Sequence, residues 1–175
     1  MLQVPEMLKA ERKLVFEEWM EAHKAILFKV ARAYGATHAD RADLFQEIAV
    51  QVWHSVDAFR GEAAASTWIY RVALNTAIAW NRKERKHRWG RQDLEAATGL
   101  LVSPAHCDPR LEWIYERLAE LDVVSRSLAL LMLDGFSYRD ISQILGLSES
   151  NVGVKINRIK AALAAQLAKG SDDEL

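Results

Sequence analysis

Between residues 148 and 160 the chain carries Ser150, Asn151, Lys155, Asn157, Arg158 and Lys160, a set of donors and acceptors suited to bases and phosphates. Asn and Arg can each make paired hydrogen bonds to base edges in the major groove, and Lys neutralises phosphate. Such work requires that the polar set share a helix whose other face is anchored. The sequence supplies the anchor, because Val152, Ile156, Ile159 and Leu163 recur at helical spacing, as Ile141, Ile144 and Leu145 do just before them. Gly146 stands where the first of these helices must stop, and a residue without a Cβ readily enters the left-handed conformation that closes a helix. Leu147 fills the corner, and Ser148 can cap the second helix by accepting from the N–H of Ser150 or Asn151. From Asp134 to Leu167 this is a helix-turn-helix signature. An ordinary helical hairpin with a solvated basic face is the competing reading. Gly153 interrupts the second helix at a cost of about 1 kcal/mol relative to Ala; it either admits close approach to a phosphate or is tolerated.

Other candidate chemistry is thinner. Asp43 and Glu47 form an i, i+4 carboxylate pair of the kind that metal or acid–base catalysis uses, but no second carboxylate pair or HxxE pattern accompanies it. A solvated face or a partner-docking face fits it better, and the chain is not read as an enzyme. Cys107 is the single cysteine, so no internal disulfide forms, and His106 beside it is a poor start to a zinc site. No metal or cofactor is expected.

The elements that must position these residues are helical. Half of the 175 residues are hydrophobic, glycine and proline are few, and no stretch alternates with period two for long. No apolar run is long enough to cross a membrane, so no membrane insertion is expected. Glu6 and Glu11 interrupt any signal peptide at the start, which points to the cytoplasm and leaves the terminal DDEL unread as a retention tag. A long amphipathic helix is expected from Met7 to Tyr34, ended by Gly35. Thr37 and Asp40 form a capping box for a second, which carries Leu44, Ile48, Val52 and Val56 on one line with Phe45, Ala49 and Trp53 beside it. After a loop at Phe59–Glu62, Ser66 caps a third helix from about Thr67, with Trp68/Ile69, Val72/Ala73, Thr76 and Trp80 inward. Its far end is a basic run, Arg82 to Arg88. Net charge over the whole chain is −1, yet residues 60–91 hold eight Lys and Arg against two acidic residues. That segment is an electrostatic footprint for phosphate, and Tyr70, Trp80 and Trp89 interleave it as stacking aromatics would, although packing between helices also accounts for Trp80 and Trp68. Gln92 to Pro109 loses periodicity and reads as a flexible linker. Helices over Arg110–Leu121 and Ser125–Leu133 then back the helix-turn-helix.

The expected architecture is all-α: a helical domain over 1–91, a linker over 92–109, a helix-turn-helix domain over 110–169 and a frayed tail over 170–175. Asp43-Leu-Phe-Gln46-Glu47 with Trp53, Phe59-Arg-Gly-Glu62 and Thr67-Trp-Ile-Tyr-Arg71-Val-Ala-Leu-Asn75 resemble the promoter-opening module, region two, of extracytoplasmic-function sigma factors. Leu118-Ala-Glu-Leu121, Asp134-Gly-Phe-Ser-Tyr138 and Ile141 to Ser148 resemble region four of the same family. The chain departs from that pattern at Ala65, Ala79, Asp122-Val123 and Gly153, where a larger apolar residue, an Asp, prolines and a Lys are common.

The resemblance implies a specificity subunit of bacterial RNA polymerase. Asp43, Gln46, Glu47 and Trp53 would dock on the core enzyme. Arg60, Gly61, Arg71, Asn75, Arg82, Lys83, Arg85 and Lys86 would hold the melted strand of the minus-10 element. Tyr138, Arg139, Ser148, Ser150, Asn151, Lys155 and Arg158 would read the minus-35 duplex. The partners implied are core RNA polymerase, promoter DNA and an anti-sigma factor. A stand-alone helix-turn-helix regulator with an N-terminal dimerisation or effector domain is the alternative, and it predicts tight duplex binding with no need for polymerase.

Overall fold

The computed structural model describes residues 4–89 and 108–172, with side chains described over 9–84 and 108–165. All regular structure among them is helical: α1 (Val4–Tyr34), α2 (His38–Ser55), a 3-10 turn (Val56–Ala58), α3 (Ala65–Trp89), α4 (Pro109–Glu120), α5 (Val123–Leu133), α6 (Tyr138–Leu145) and α7 (Glu149–Asp172). The chain divides into two compact units, Met1–Val102 and Ser103–Leu175.

In the first unit α1, α2 and α3 pack on one another. The core takes Trp19, Leu27, Val30 and Ala31 from α1, Leu44, Ile48 and Val52 from α2, and Ile69, Tyr70, Ala73, Leu74 and Ala77 from α3. Each fully buried Leu or Ile contributes about 1.5–3 kcal/mol, so this apolar seam sets the arrangement and the polar contacts refine it. The α1–α2 corner is tight for a specific reason. A Cβ built on Gly35 would lie 2.7 Å from Cγ and 2.8 Å from the backbone N of Arg41. Glycine is needed there for close approach, since its φ is not in the left-handed region. The capping box closes as the sequence predicts: Asp40 N–H donates to Thr37 Oγ1 and Thr37 N–H to Asp40 Oδ2, each at 3.0 Å.

Arg12 joins the far ends of α1 and α2. Its Nε and Nη2 donate to the Trp53 carbonyl at 3.1 and 2.9 Å, and its guanidinium lies 4.6 Å from the centroid of the Trp53 ring. Nη1 also meets Asp57 Oδ2 at 3.0 Å. Asp57 is largely exposed, so that ion pair contributes little; the carbonyl bonds and the ring contact carry the connection.

In the second unit each helix begins on a local cap. Asp108 accepts from Arg110 N–H with Pro109 at the first helical position, Asp122 accepts from the N–H groups of Val124 and Ser125, and Ser137 accepts from Asp140 N–H. The Asp122 carboxyl is held below the ordinary aspartate range, first by the Ser125 hydroxyl that donates to it; burial opposes this, and the backbone N–H groups of Ser125 and Val124 and the nearby Lys155 charge add to the lowering. Arg126 closes α4 from the other end, its Nε donating to the Leu118 carbonyl at 2.9 Å and its Nη2 to those of Ala119 and Leu121 at 2.8 and 3.0 Å. Leu118, Leu128, Leu131, Ile141, Ile144, Val152, Ile156 and Ile159 are buried.

Several boundaries move. Helix α3 starts at Ala65, with Trp68 N–H bonded to the Ala64 carbonyl, so Ser66 lies inside the first turn and is not its cap. Asp122-Val123 begins α5 two residues before the expected Ser125, because Asp122 is itself a cap. The expected linker lies outside the described residues except for Asp108 and Pro109, which start α4. Helix α7 continues through Asp172, past the expected end at 169.

Candidate nucleic-acid interface

The turn between α6 and α7 has the geometry its residues demand. Gly146 adopts φ 67°, ψ 31° and its N–H returns to the Ser142 carbonyl; Leu147 N–H bonds the same carbonyl at 3.1 Å. Ser148 Oγ accepts from Asn151 N–H at 3.3 Å and caps α7. With Val152, Ile156 and Ile159 turned inward, Ser148, Ser150, Asn151, Asn157, Arg158 and Lys160 are exposed. Lys155 is only half-buried and stands close enough to the Asp122 carboxylate to stabilise its charge. Arg139 is exposed on α6. Tyr138, 40% exposed, lies over Gly153, whose missing Cβ would sit 3.5 Å from Tyr138 Cε2. That is ordinary van der Waals contact, so the space at Gly153 faces an aromatic ring of the same unit.

A second surface runs along α3. Arg71, Asn75 and Arg82 share one stripe, being spaced by one turn and then two; Arg71 and Asn75 are exposed and Arg82 is open to solvent beyond them. Lys83 is exposed to one side of it. The helix continues through Arg85 and Lys86, whose side chains lie outside those described, as does that of Trp89. Tyr70 is 1% exposed; its ring belongs to the core and cannot stack on a strand. Its neighbours on the sequence mislead, because α3 buries the row Ile69, Ala73, Ala77 with Tyr70 and Leu74, leaving Trp68 and Trp80 at the border.

The loop that leads into α3 hangs from aromatic rings. Phe59 packs edge-on against Trp19 at 5.1 Å and tilts against Trp68 at 5.8 Å. Trp68 Nε1 donates to Ser55 Oγ at 3.0 Å, which donates in turn to the Val52 carbonyl. Beyond this anchor Arg60, Gly61, Glu62 and Ala63 are exposed, with Gly61 at φ 71°. Beside the loop's root a shallow groove opens between α2 and α3, lined by Gln51, His54, Ser55, Val72, Asn75 and Thr76.

The third surface is the outer face of α2. Asp43, Gln46 and Glu47 are exposed around Val50, itself 47% exposed. Glu47 accepts a solvent-facing bond from Gln51 Nε2 at 3.0 Å. Trp53 sits apart from them, half-buried on the α1 flank with its ring edge-on to Phe16 at 5.3 Å. Among the described residues no three His, Cys, Asp or Glu side chains converge to hold a metal ion.

Sequence reasoning missed Arg12, because its partners lie more than forty positions away. It also passed over Val50 and Val154, which fall off the apolar lines of α2 and α7 and carry no polar group to mark them.

Two family models match the chain, sigma-70 region 2 over residues 19–87 and sigma-70 region 4 over residues 111–163. The chain is 30% identical over 173 residues to the RNA polymerase sigma factor CnrH of Cupriavidus metallidurans, covering 90% of this chain and 88% of that one. It is 29% identical over 160 residues to the RNA polymerase sigma factor NccH of Alcaligenes xylosoxydans xylosoxydans, covering 87% and 86%. Among solved structures, CnrH in complex with the cytosolic domain of CnrY is similar with a TM-score of 0.66 and 26% identity, over 93% of this chain and 96% of that one. The sigma factor RpoE with the anti-sigma factor NepR from Bartonella quintana has a TM-score of 0.71 at 20% identity, over 87% and 96%, and shares the fold.

Proposed function

Because this chain belongs to the extracytoplasmic-function sigma factors of RNA polymerase, we propose a division of its promoter-directing work among the three surfaces. The exposed face of α2, with Asp43, Gln46 and Glu47, docks on core polymerase; Trp53, held apart on the α1 flank by Phe16 and Arg12, extends that contact. The loop bearing Arg60 and Gly61, with Arg71, Asn75, Arg82, Lys83, Arg85 and Lys86 along α3, holds the melted strand of the minus-10 element. Helix α7 enters the major groove at the minus-35 element with Ser150, Asn151 and Arg158 toward the bases, while Ser148, Tyr138, Arg139 and Lys155 meet the backbone beside it. The factor works in the cytoplasm without chemistry of its own, and CnrH solved with the cytosolic domain of CnrY and RpoE solved with the anti-sigma factor NepR support control by a protein inhibitor here.

The observation that carries this reading is the stripe Arg71–Asn75–Arg82 beside a glycine-bearing loop anchored at Phe59. Cations on a helix track phosphates, whereas an amide can pair with the edge of an unstacked base. The test is transcription with purified core polymerase on a promoter selected from a library, with permanganate reactivity of unpaired thymines reporting opening. Variants of the loop and of Asn75 should bind at saturation yet open poorly. Normal opening by them, or tight promoter binding by the protein without polymerase, overturns the assignment; the latter outcome would indicate a stand-alone regulator.

A further inference from the structure

The outer face of α7 has an apolar centre. Val154 is 49% exposed although Val152, Ile156 and Ile159, on the opposite side of the same helix, are 0%, 0% and 5% exposed. Residues three and four apart are neighbours on a helix, so Val154 is ringed by Ser150, Asn151, Asn157 and Arg158, all exposed. A valine here does nothing for the fold. It buries little, and a β-branched side chain loses rotamer freedom in a helix. When α7 lies in a major groove, the residue at the middle of its outer face meets the floor. The one apolar feature that the floor offers is the 5-methyl group of thymine.

Resting on the reading of α7 as the minus-35 helix, we propose that Val154 is a specificity-determining residue that recognises the 5-methyl group of one thymine in the upstream element. The isopropyl group and the methyl group exclude water from each other, while the flanking Asn151 and Arg158 satisfy polar edges of adjacent pairs. Cytosine at that position presents an amino group with no acceptor on Val154, and it lacks the methyl.

The experiment uses the full-length factor with core polymerase and duplexes selected by that holoenzyme from a library randomised across the upstream element. Each thymine of the selected element, on either strand, is replaced in turn by deoxyuridine, which removes one methyl and leaves every hydrogen bond. At one position the replacement should weaken binding roughly four-fold, the worth of burying about one methyl-sized group. Val154→Ala should abolish the difference between thymine and deoxyuridine at that position only. Val154→Thr, which retains one methyl, should keep part of it. The inference is overturned if no deoxyuridine replacement weakens wild-type binding, or if Val154→Ala keeps the wild-type ratio. Asn151→Ala and Arg158→Ala separate this from the underlying reading. If neither changes dependence on the upstream element, the placement of α7 itself fails. If they do and the Val154→Ala ratio is unaltered, only the methyl contact fails.

Discussion

Asp122 illustrates how much one side chain can do at a helix start. A proline would pre-set the backbone for a helix start; the aspartate instead supplies acceptors to Val124 and Ser125. Asp122→Ala should therefore destabilise the C-terminal unit by about 1 kcal/mol near neutral pH, the usual cost of losing a helix N-cap, measured by thermal or urea unfolding. The sign with pH follows from the lowered folded-state pKa. The carboxylate's contribution is fully present above the ordinary aspartate value of 3.8 and is lost as pH falls below it through the folded value, so the gap between variant and wild type should shrink on acidification and persist on alkalinisation. Asp43 and Glu47 contrast with it, because they stand inside α2 with exposed side chains and cap no helix start. The double variant Asp43→Lys, Glu47→Lys should alter stability by no more than about 0.5 kcal/mol while abolishing co-purification with core polymerase. Retained polymerase affinity would remove the docking role from this face.

Two glycines show at the scale of the element that the same substitution can have opposite signs. Gly153→Ala meets only the edge of the Tyr138 ring at ordinary distance, so it should raise the stability of the C-terminal unit by about 1 kcal/mol through helix propensity. Gly35→Ala drives a Cβ into the backbone of Arg41 and should cost about 1–3 kcal/mol, as overpacking does. Chemical denaturation of the two variants checks both signs. The apolar lines of α2 and α7 are legible in the sequence because they are drawn in Leu, Ile and Val at regular spacing. The line of α3 is legible only in part: the pattern reads Trp68/Ile69, Val72/Ala73, Thr76 and Trp80 as inward, and Ile69 and Ala73 are indeed 0% exposed, but Leu74 and Ala77 escape it. Its true contact row runs through Ala73 and Ala77, both 0% exposed, and alanines carry little weight in a hydrophobic stripe although they allow helices to approach closely. The tryptophans that attract the eye lie at the border, Trp68 with its indole N–H bonded to Ser55. The polar residues of the candidate sites are legible from type and spacing, whereas Lys155's proximity to Asp122 spans two helices and has no sequence signature.

At the scale of the whole molecule, charge is unevenly shared: the chain's net charge is −1, yet eight cations face two acidic residues over 60–91. Neutralising Arg82, Lys83, Arg85 and Lys86 together should lower promoter affinity of the holoenzyme with little regard to upstream sequence. It should also flatten the salt dependence by roughly 0.7 log units per log unit of salt for each single-strand phosphate no longer neutralised; titration of binding from low to moderate salt measures the slope. An unchanged slope would dissociate the basic run from DNA. The division into two compact units leads us to propose that they fold separately, in which case the first proteolytic cuts of the native protein should fall within 92–109 and leave fragments that resist further digestion; first cuts inside 40–80 or 136–165 would overturn this. The helix N-caps of the C-terminal unit all join residues within three positions of one another, and Arg126 reaches back only eight to the Leu118 carbonyl. Arg12, by contrast, must find Trp53 across 41 positions. Contacts so different in loop length close at different speeds, since chain entropy must be overcome before a distant contact yields anything. During synthesis the N-terminal unit therefore waits for residue 57 to clear the ribosome before Arg12 can reach its last partner, the Asp57 carboxylate, whereas the helices of the C-terminal unit can take shape almost as fast as they emerge.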